Sequence, residues 1–319
     1  MKQILTYLVI TLLISACETL PVIESDRGLE RVRVEETTTS SESTTKKEEN
    51  ASLALVIGNS QYEYRPLANT TNDAEDMASV LKLRGFDVTL KTNLKYGEMK
   101  QAIRQFGEHL ADNRGSVGMF YFAGHGVQVK GENYLIPINN DHINDEFDIQ
   151  NSAILVNEVV QRMEESQNGL NLVVLDACRD NPFKGINLSR SLSRGLARTQ
   201  ISADGMLIAF ATSPNATASD GFGGEQNGLY TQYLLEAIKL PNLRVEDVFK
   251  QVRQAVKNVS NGSQVPWYNA SLSGDFCFGG CNKTQAEVEK ERLFIEEARR
   301  DRDRQTEPKQ EKFRVFGGF

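Results

Sequence analysis

Val117-Gly118-Met119-Phe120-Tyr121-Phe122-Ala123-Gly124-His125-Gly126 and Leu172-Val173-Val174-Leu175-Asp176-Ala177-Cys178-Arg179 are the two stretches whose reading decides the fold. Each is a short apolar run that suits a strand buried on both faces, and each ends in residues that carry chemistry. Working outward, Leu53 to Ile57 is a similar run closed by Gly58-Asn59, Phe86 to Leu90 alternates as a strand does, and Met206 to Ala211 is apolar throughout. Helical patterns lie between these strands. Asn72 to Arg84 carries Asp73, Glu75 and Asp76 in its first turn and is stopped by Gly85. Met99, Ile103, Phe106 and Leu110 share one helical face, as do Val245, Val248, Phe249, Val252 and Val256. Short apolar strands alternating with amphipathic helices predict an α/β fold, a mostly parallel sheet covered by helices, over residues 52–280.

Composition narrows the function. The chain has 319 residues, 39% of them hydrophobic and 25% charged, which excludes a collagen-like, wholly disordered or multi-span membrane protein. A net charge of -7 with no long basic run argues against a nucleic-acid partner. Neither G-x-G-x-x-G nor G-x-x-x-x-G-K-[ST] follows a strand, so a nucleotide-binding domain is set aside. Gly221-Phe222-Gly223-Gly224 reads as a loop. Four cysteines are too few for a disulfide scaffold, and three histidines leave few residues for a His-dependent role.

The ends of the chain differ from its middle. Lys2 precedes an apolar run from Ile4 to Ile14, too short to span a bilayer but suited to a signal peptide, and Leu13-Ile14-Ser15-Ala16-Cys17 follows. This arrangement resembles the lipobox of bacterial lipoproteins. The resemblance implies removal of residues 1–16, lipidation of Cys17, and anchoring in the bacterial cell envelope; Glu18 favours the outer membrane, facing the periplasm. Residues 17–51 form a tether, and Glu35 to Asn50 contains no apolar residue that could offset the entropy of ordering. Residues 281–319 read as a charged, partly helical, solvated tail.

In an open parallel sheet, ligands bind beyond the carboxyl ends of the strands. His125 and Cys178 both fall there, His125 in a Gly-His-Gly stretch whose glycines permit a tight turn and let another backbone approach closely. Alone, such a Cys is usually a small buried hydrophobe and such a His a loop residue. On one rim they form a candidate nucleophile and base.

These residues also resemble a family. Asp176-Ala177-Cys178-Arg179-Asp180 keeps the Ala-Cys-Arg of the caspase pattern Q-A-C-[RQG]-G without its flanking Gln and Gly, and a His lies about 50 residues upstream, as that pattern requires. The chain more closely resembles the prokaryotic caspase-like peptidases, relatives of metacaspases and paracaspases. The matching pieces are Ala54 to Asn59, Asn72-Asp73-Ala74, Tyr121 to Gly126, Leu175 to Phe183, Arg194 to Ala197, Ala209 to Thr212 and Gln264 to Trp267. The resemblance implies a three-layer caspase-hemoglobinase fold and a thiol peptidase. Cys178 would be the nucleophile, His125 the general base and then acid, and the backbone N–H groups of Gly126 and Cys178 the oxyanion hole. Metacaspases and paracaspases cut after Arg or Lys. Asp176, on the same strand face as Cys178, and Asp73 are the matching acidic residues for the S1 pocket. The structural alternative for Asp73 is a helix first-turn acid.

The segment from Asp180 to Asp204 holds Lys184, Arg190, Arg194 and Arg198, so self-processing in this linker is one expectation and an ordinary basic loop the other. Some metacaspases need calcium. Asp141, Asp145, Glu146 and Asp148 lack EF-hand spacing, so neither a metal nor a cofactor is assigned. Cys277 and Cys281 could close a small disulfide in an oxidising compartment and lack the further ligands of a zinc site. Two functions follow: a lipid-anchored cysteine endopeptidase acting on peptide or protein substrates, and a non-catalytic caspase-fold module that binds an envelope partner.

Overall fold

The computed structural model describes residues 51–178, 196, 204–213 and 226–306. They belong to a compact unit that runs from Glu48 to Phe319. The elements in chain order are β1 (Ser52–Gly58), α1 (Thr70–Leu83), β2 (Phe86–Thr92), α2 (Tyr96–Asp112), β3 (Val117–Val129) and β4 (Glu132–Leu135). They continue with α3 (Glu146–Ser152), β5 (Ile154–Leu155), α4 (Val156–Glu165), β6 (Leu170–Cys178) and β7 (Met206–Phe210). The last are α5 (Leu229–Ile238), α6 (Val245–Val259), β8 (Trp267–Ser271) and α7 (Gln285–Thr306). Cys17 and the Gly221–Gly224 loop lie outside the described residues, as does all of the Asp180–Asp204 linker except Leu196 and Asp204.

The sheet runs β2-β1-β3-β6-β7-β8, with β4 and β5 forming an arm off β3. The pairs from β2 to β7 are parallel, and β8 closes the edge antiparallel to β7. Side chains alternate across a strand, and that alternation divides the core into two layers. Ala54, Val56, Met119, Tyr121, Leu172, Val174, Leu207 and Ala209 meet α1, α5 and α6 on one side. Leu53, Leu55, Ile57, Phe120, Phe122, Val173, Leu175, Ile208 and Phe210 meet α2 and α4 on the other. The faces read from spacing are the buried ones: Met99, Ile103, Phe106 and Leu110 in α2, and Val245, Val248, Phe249, Val252 and Val256 in α6. A sheet buried on both sides explains why its strands are continuously apolar. The result is the three-layer α/β architecture that the patterning predicts.

One expectation is corrected. Gly124-His125-Gly126 is not a tight turn: β3 runs straight through it to Val129 and then pairs antiparallel with β4, from Gly126 opposite Leu135 to Val129 opposite Glu132. Close approach, the other use expected of these glycines, is what they serve. A Cβ on Gly124 would lie 2.4 Å from Tyr62 Oη, and one on Gly126 would lie 2.9 Å from the Ala177 Cβ. The arm built on this extension has its own small core, where Tyr62, Val127, Val129, Tyr134, Ile136, Ile143 and Ile149 pack together.

The charged segment after residue 280 begins as α7. Its Glu291 pairs with Arg84, whose side chain is 1% exposed, and accepts from Lys283 Nζ at 2.7 Å. Cys277 and Cys281 are joined in a disulfide, with Cα atoms 5.1 Å apart, beside this anchor. No helix among the described residues is long and apolar enough to cross a membrane.

Candidate active site

The adjoining strands β3 and β6 bring the two candidate reactive residues to the same level. Their parallel register sets Ala123 opposite Asp176, Gly124 opposite Ala177, and His125 opposite Cys178. Cys178 ends β6 and is described by its backbone alone. A slip of one residue would exchange the residues packed against α1, α5 and α6 with those packed against α2 and α4, so the two core layers hold the register.

His125 is buried, at 1% exposure. Its backbone N–H donates to Tyr62 Oη at 2.8 Å, and the two rings lie 4.4 Å apart between centroids. Its Nε2 lies 2.7 Å from the Arg65 carbonyl oxygen. A carbonyl only accepts, so Nε2 carries the proton, and in the neutral ring Nδ1 is then the basic nitrogen. Arg65 has φ of 59°, in the left-handed region, which turns the chain where its carbonyl meets the ring. Sequence reading missed both Tyr62 and the Arg65 carbonyl. A backbone carbonyl leaves no residue-type signal, and an aromatic beside Glu63 and Tyr64 reads as ordinary loop content.

Asp176 and Asp73 come together from different elements. Asp176 is 7% exposed, and its Oδ2 accepts from Thr231 Oγ1 at 2.6 Å; Thr231 Oγ1 also lies 2.6 Å from Tyr121 Oη. With Thr231 donating to the carboxylate, the buried Tyr121 hydroxyl donates to Thr231 in turn. Asp73 is 2% exposed, and its Oδ1 accepts from the Gly228 N–H at 2.9 Å, at the N-cap of α5. A methyl group on Gly228 would lie 3.3 Å from Asp73 Oδ2 and 3.6 Å from Asp176 Oδ2, so both carboxylates converge on one point. Burial and the charge of Asp176 push the Asp73 carboxyl up to about 8, against the opposing hydrogen bonds from Gly228 and Asn227. Burial, with Asp73 and Asp176 nearby, also holds the Tyr121 hydroxyl well above its usual range. Asp73 is in the first turn of α1, as a helix-start acid would be, yet it faces the α5 terminus and the sheet rather than solvent. Thr231 and Gly228 were not legible as partners, since only the tertiary fold brings α5 to β6.

The acidic residues of the arm do something else. Asp145 caps α3 by accepting from the Asp148 N–H at 2.9 Å, and Glu146 sits 3.7 Å from Lys130. Asp141 and Glu63 share a hydrogen bond that raises the Glu63 carboxyl and lowers that of Asp141. No cluster of three or more His, Cys, Asp or Glu side chains suited to a metal occurs among the described residues.

The three-layer sheet, with a His and a Cys at one register at the carboxyl end of its central strands, defines a class of protein. A family model described as the caspase domain matches residues 51–277, and the chain belongs to that family, whose members are mostly cysteine peptidases. Among curated proteins it is 25% identical over 225 residues to human mucosa-associated lymphoid tissue lymphoma translocation protein 1, covering 69% of this chain and 26% of that protein. The mouse homolog matches to the same extent. An uncharacterized protein, y4kE, of Sinorhizobium fredii is 29% identical over 151 residues, 46% of this chain and 42% of the relative. The chain therefore matches about a quarter of the length of the human and mouse relatives. The crystal structure of caspase-1 from Spodoptera frugiperda superposes with a TM-score of 0.53 at 18% identity, covering 72% of this chain and 92% of that one. It shares the fold.

Proposed function

We propose that the protein is a cysteine-type endopeptidase that hydrolyses peptide bonds after Arg or Lys, with Cys178 as nucleophile and His125 as base. The observation that carries this reading is the register of β3 and β6, which sets His125 beside Cys178 at the carboxyl end of the sheet. His125 Nδ1 takes the thiol proton while its Nε2–H stays on the Arg65 carbonyl, which stabilises the imidazolium. The Cys178 sulfur then bonds to the scissile carbonyl carbon. The developing oxyanion is received by the N–H groups of Gly126 and Cys178, donors of a kind that each contribute about 3 kcal/mol. Collapse breaks the C–N bond, the leaving amine takes the proton from His125, and water hydrolyses the thioester by the same base.

The acidic pocket reading rests on Asp73 and Asp176. Both are buried beside the end of β6 and converge on Gly228, and no cation among the described residues pairs with Asp73. A buried site in which the charge of Asp176 keeps Asp73 protonated favours a cationic P1 side chain, because that charge offsets Asp176 and allows Asp73 to ionise. An enzyme of this preference would also accept Arg or Lys in its own linker between 180 and 204. The lipobox-like Leu13 to Cys17 supports an anchor at Cys17 in the bacterial envelope, with the tether carrying the peptidase towards the periplasm.

The test uses the full chain under reducing conditions with fluorogenic peptides ending in Arg, Lys or Asp, beside a Cys178→Ala control. Turnover of the Arg and Lys peptides that is lost in the control is expected. Turnover of the Asp peptide alone would refute the acidic pocket, and folded protein without Cys178-dependent turnover would refute the peptidase.

A further inference from the structure

The segment between β1 and α1 touches His125 at two points. Tyr62 takes its backbone N–H, and Arg65 takes its Nε2 proton. Tyr62 is itself 4% exposed and donates its hydroxyl to the Ile136 carbonyl at 3.2 Å, so one oxygen ties His125 to the strand extension beyond β4. Gly124 leaves room for that oxygen, since a Cβ there would approach it to 2.4 Å.

The Arg65 carbonyl is aimed in turn by Asn140, which is 1% exposed and lies between β4 and α3. Asn140 Oδ1 accepts from the Tyr64 N–H at 3.0 Å, and its Nδ2 donates to the Tyr64 carbonyl at 3.0 Å. A side-chain amide paired in both directions with one backbone residue acts as a strand edge would. It fixes both sides of Tyr64 immediately before the left-handed Arg65. The Glu63 N–H adds a bond to the Ile138 carbonyl at 3.0 Å.

We propose that Tyr62 and Asn140 are positioning residues for His125: Tyr62 pins its backbone and Asn140 aims the Arg65 carbonyl, so the ring is held as its Nε2–H tautomer. Each acts through His125, in the way that second-layer hydrogen bonds orient reactive imidazoles. The inference rests on the peptidase reading for its kinetic consequence alone; the tautomer itself is a property of the resting protein.

That separation sets the experiment. The full chain contains only three histidines, so histidine-selective nitrogen-15 labelling resolves each ring, with His109→Gln and His142→Gln for assignment. Wild-type His125 is expected to show the Nε2–H tautomer at neutral pH. Tyr62→Phe removes one hydroxyl, and Asn140→Asp removes one donor while keeping the acceptor for the Tyr64 N–H. Each is expected to let the Nδ1–H form appear at His125 with His109 and His142 unchanged. In the peptide assay, each should lower kcat about tenfold or more with KM little altered and shift the acid limb of the pH profile. Wild-type tautomer and pH profile in both folded variants would overturn the proposal, as would a wild-type ring protonated on Nδ1. Absence of Cys178-dependent turnover in the wild type would overturn the peptidase reading, and the nitrogen-15 spectra would still decide this one.

Discussion

Asp73→Asn should flatten the dependence of stability on pH. In the folded protein, burial and the neighbouring Asp176 move the Asp73 carboxyl from 3.8 up to about 8. A raised acid holds in the folded state a proton that the unfolded chain has already released. The stabilisation from that proton is therefore complete below the unfolded value and is lost as pH rises towards the folded value. Each unit of separation is worth about 1.4 kcal/mol, so between pH 5 and pH 8 the loss is on the order of 4 kcal/mol. For a domain of this size that corresponds to about 10 °C in Tm. Asparagine keeps an oxygen for the Gly228 N–H, which donates to Asp73 Oδ1 at 2.9 Å, so the hydrogen bond survives while the proton linkage disappears. Scanning calorimetry of wild type and variant at pH 5, 6.5 and 8 reads the effect. The two should melt within a few degrees of each other at pH 5, and the variant should melt clearly higher at pH 8. Parallel curves would refute the assignment of a buried, protonated carboxyl to this position.

Thr231→Val removes the donor to Asp176 Oδ2 and the acceptor for Tyr121 Oη. The buried Tyr121 hydroxyl loses its acceptor and Asp176 loses one donor, which should lower stability in urea by about 2 kcal/mol and raise KM for an Arg peptide; an unchanged midpoint and KM would show that the relay does not hold the carboxylate. Glu291→Ala strands the buried Arg84 charge and should cost about 3 kcal/mol, of which Arg84→Met in the same chain should restore a large part. Failure of the double variant to recover would show that α7 is held by something other than this pair.

Much of the fold was legible because hydrophobic periodicity is a local property that burial enforces. The runs at Leu53, Val117, Leu172 and Met206 read as strands covered on both sides, as they are, and the spacings in α2 and α6 named the faces that are buried. The Gly124-His125-Gly126 stretch left a turn and close packing both open, because glycine signals either. Sequence does not distinguish them, whereas the approach of Tyr62 Oη and the Ala177 Cβ does. The candidate pair His125 and Cys178 was legible as residue types following two apolar runs, and Asp176 by its parity with Cys178.

What the sequence by itself determined was the strands β1, β2, β3, β6 and β7, the helices α1, α2 and α6, their apolar faces, and which reactive residues follow the strands; β4, β5, β8, α3, α4 and α5 were not read from it. The tertiary structure alone decided the environment of those side chains. The register of β3 against β6 sets His125 beside Cys178, and the packing of α1 and α5 turns Asp73 inward to meet Asp176. The loop from Ser60 to Leu67 then brings a tyrosine hydroxyl and a backbone carbonyl onto the imidazole. Those contacts join residues far apart in the chain. They arise from the geometry of a closed core, which no local pattern encodes, because a hydrogen-bond partner is selected by distance and direction rather than by its neighbours in sequence.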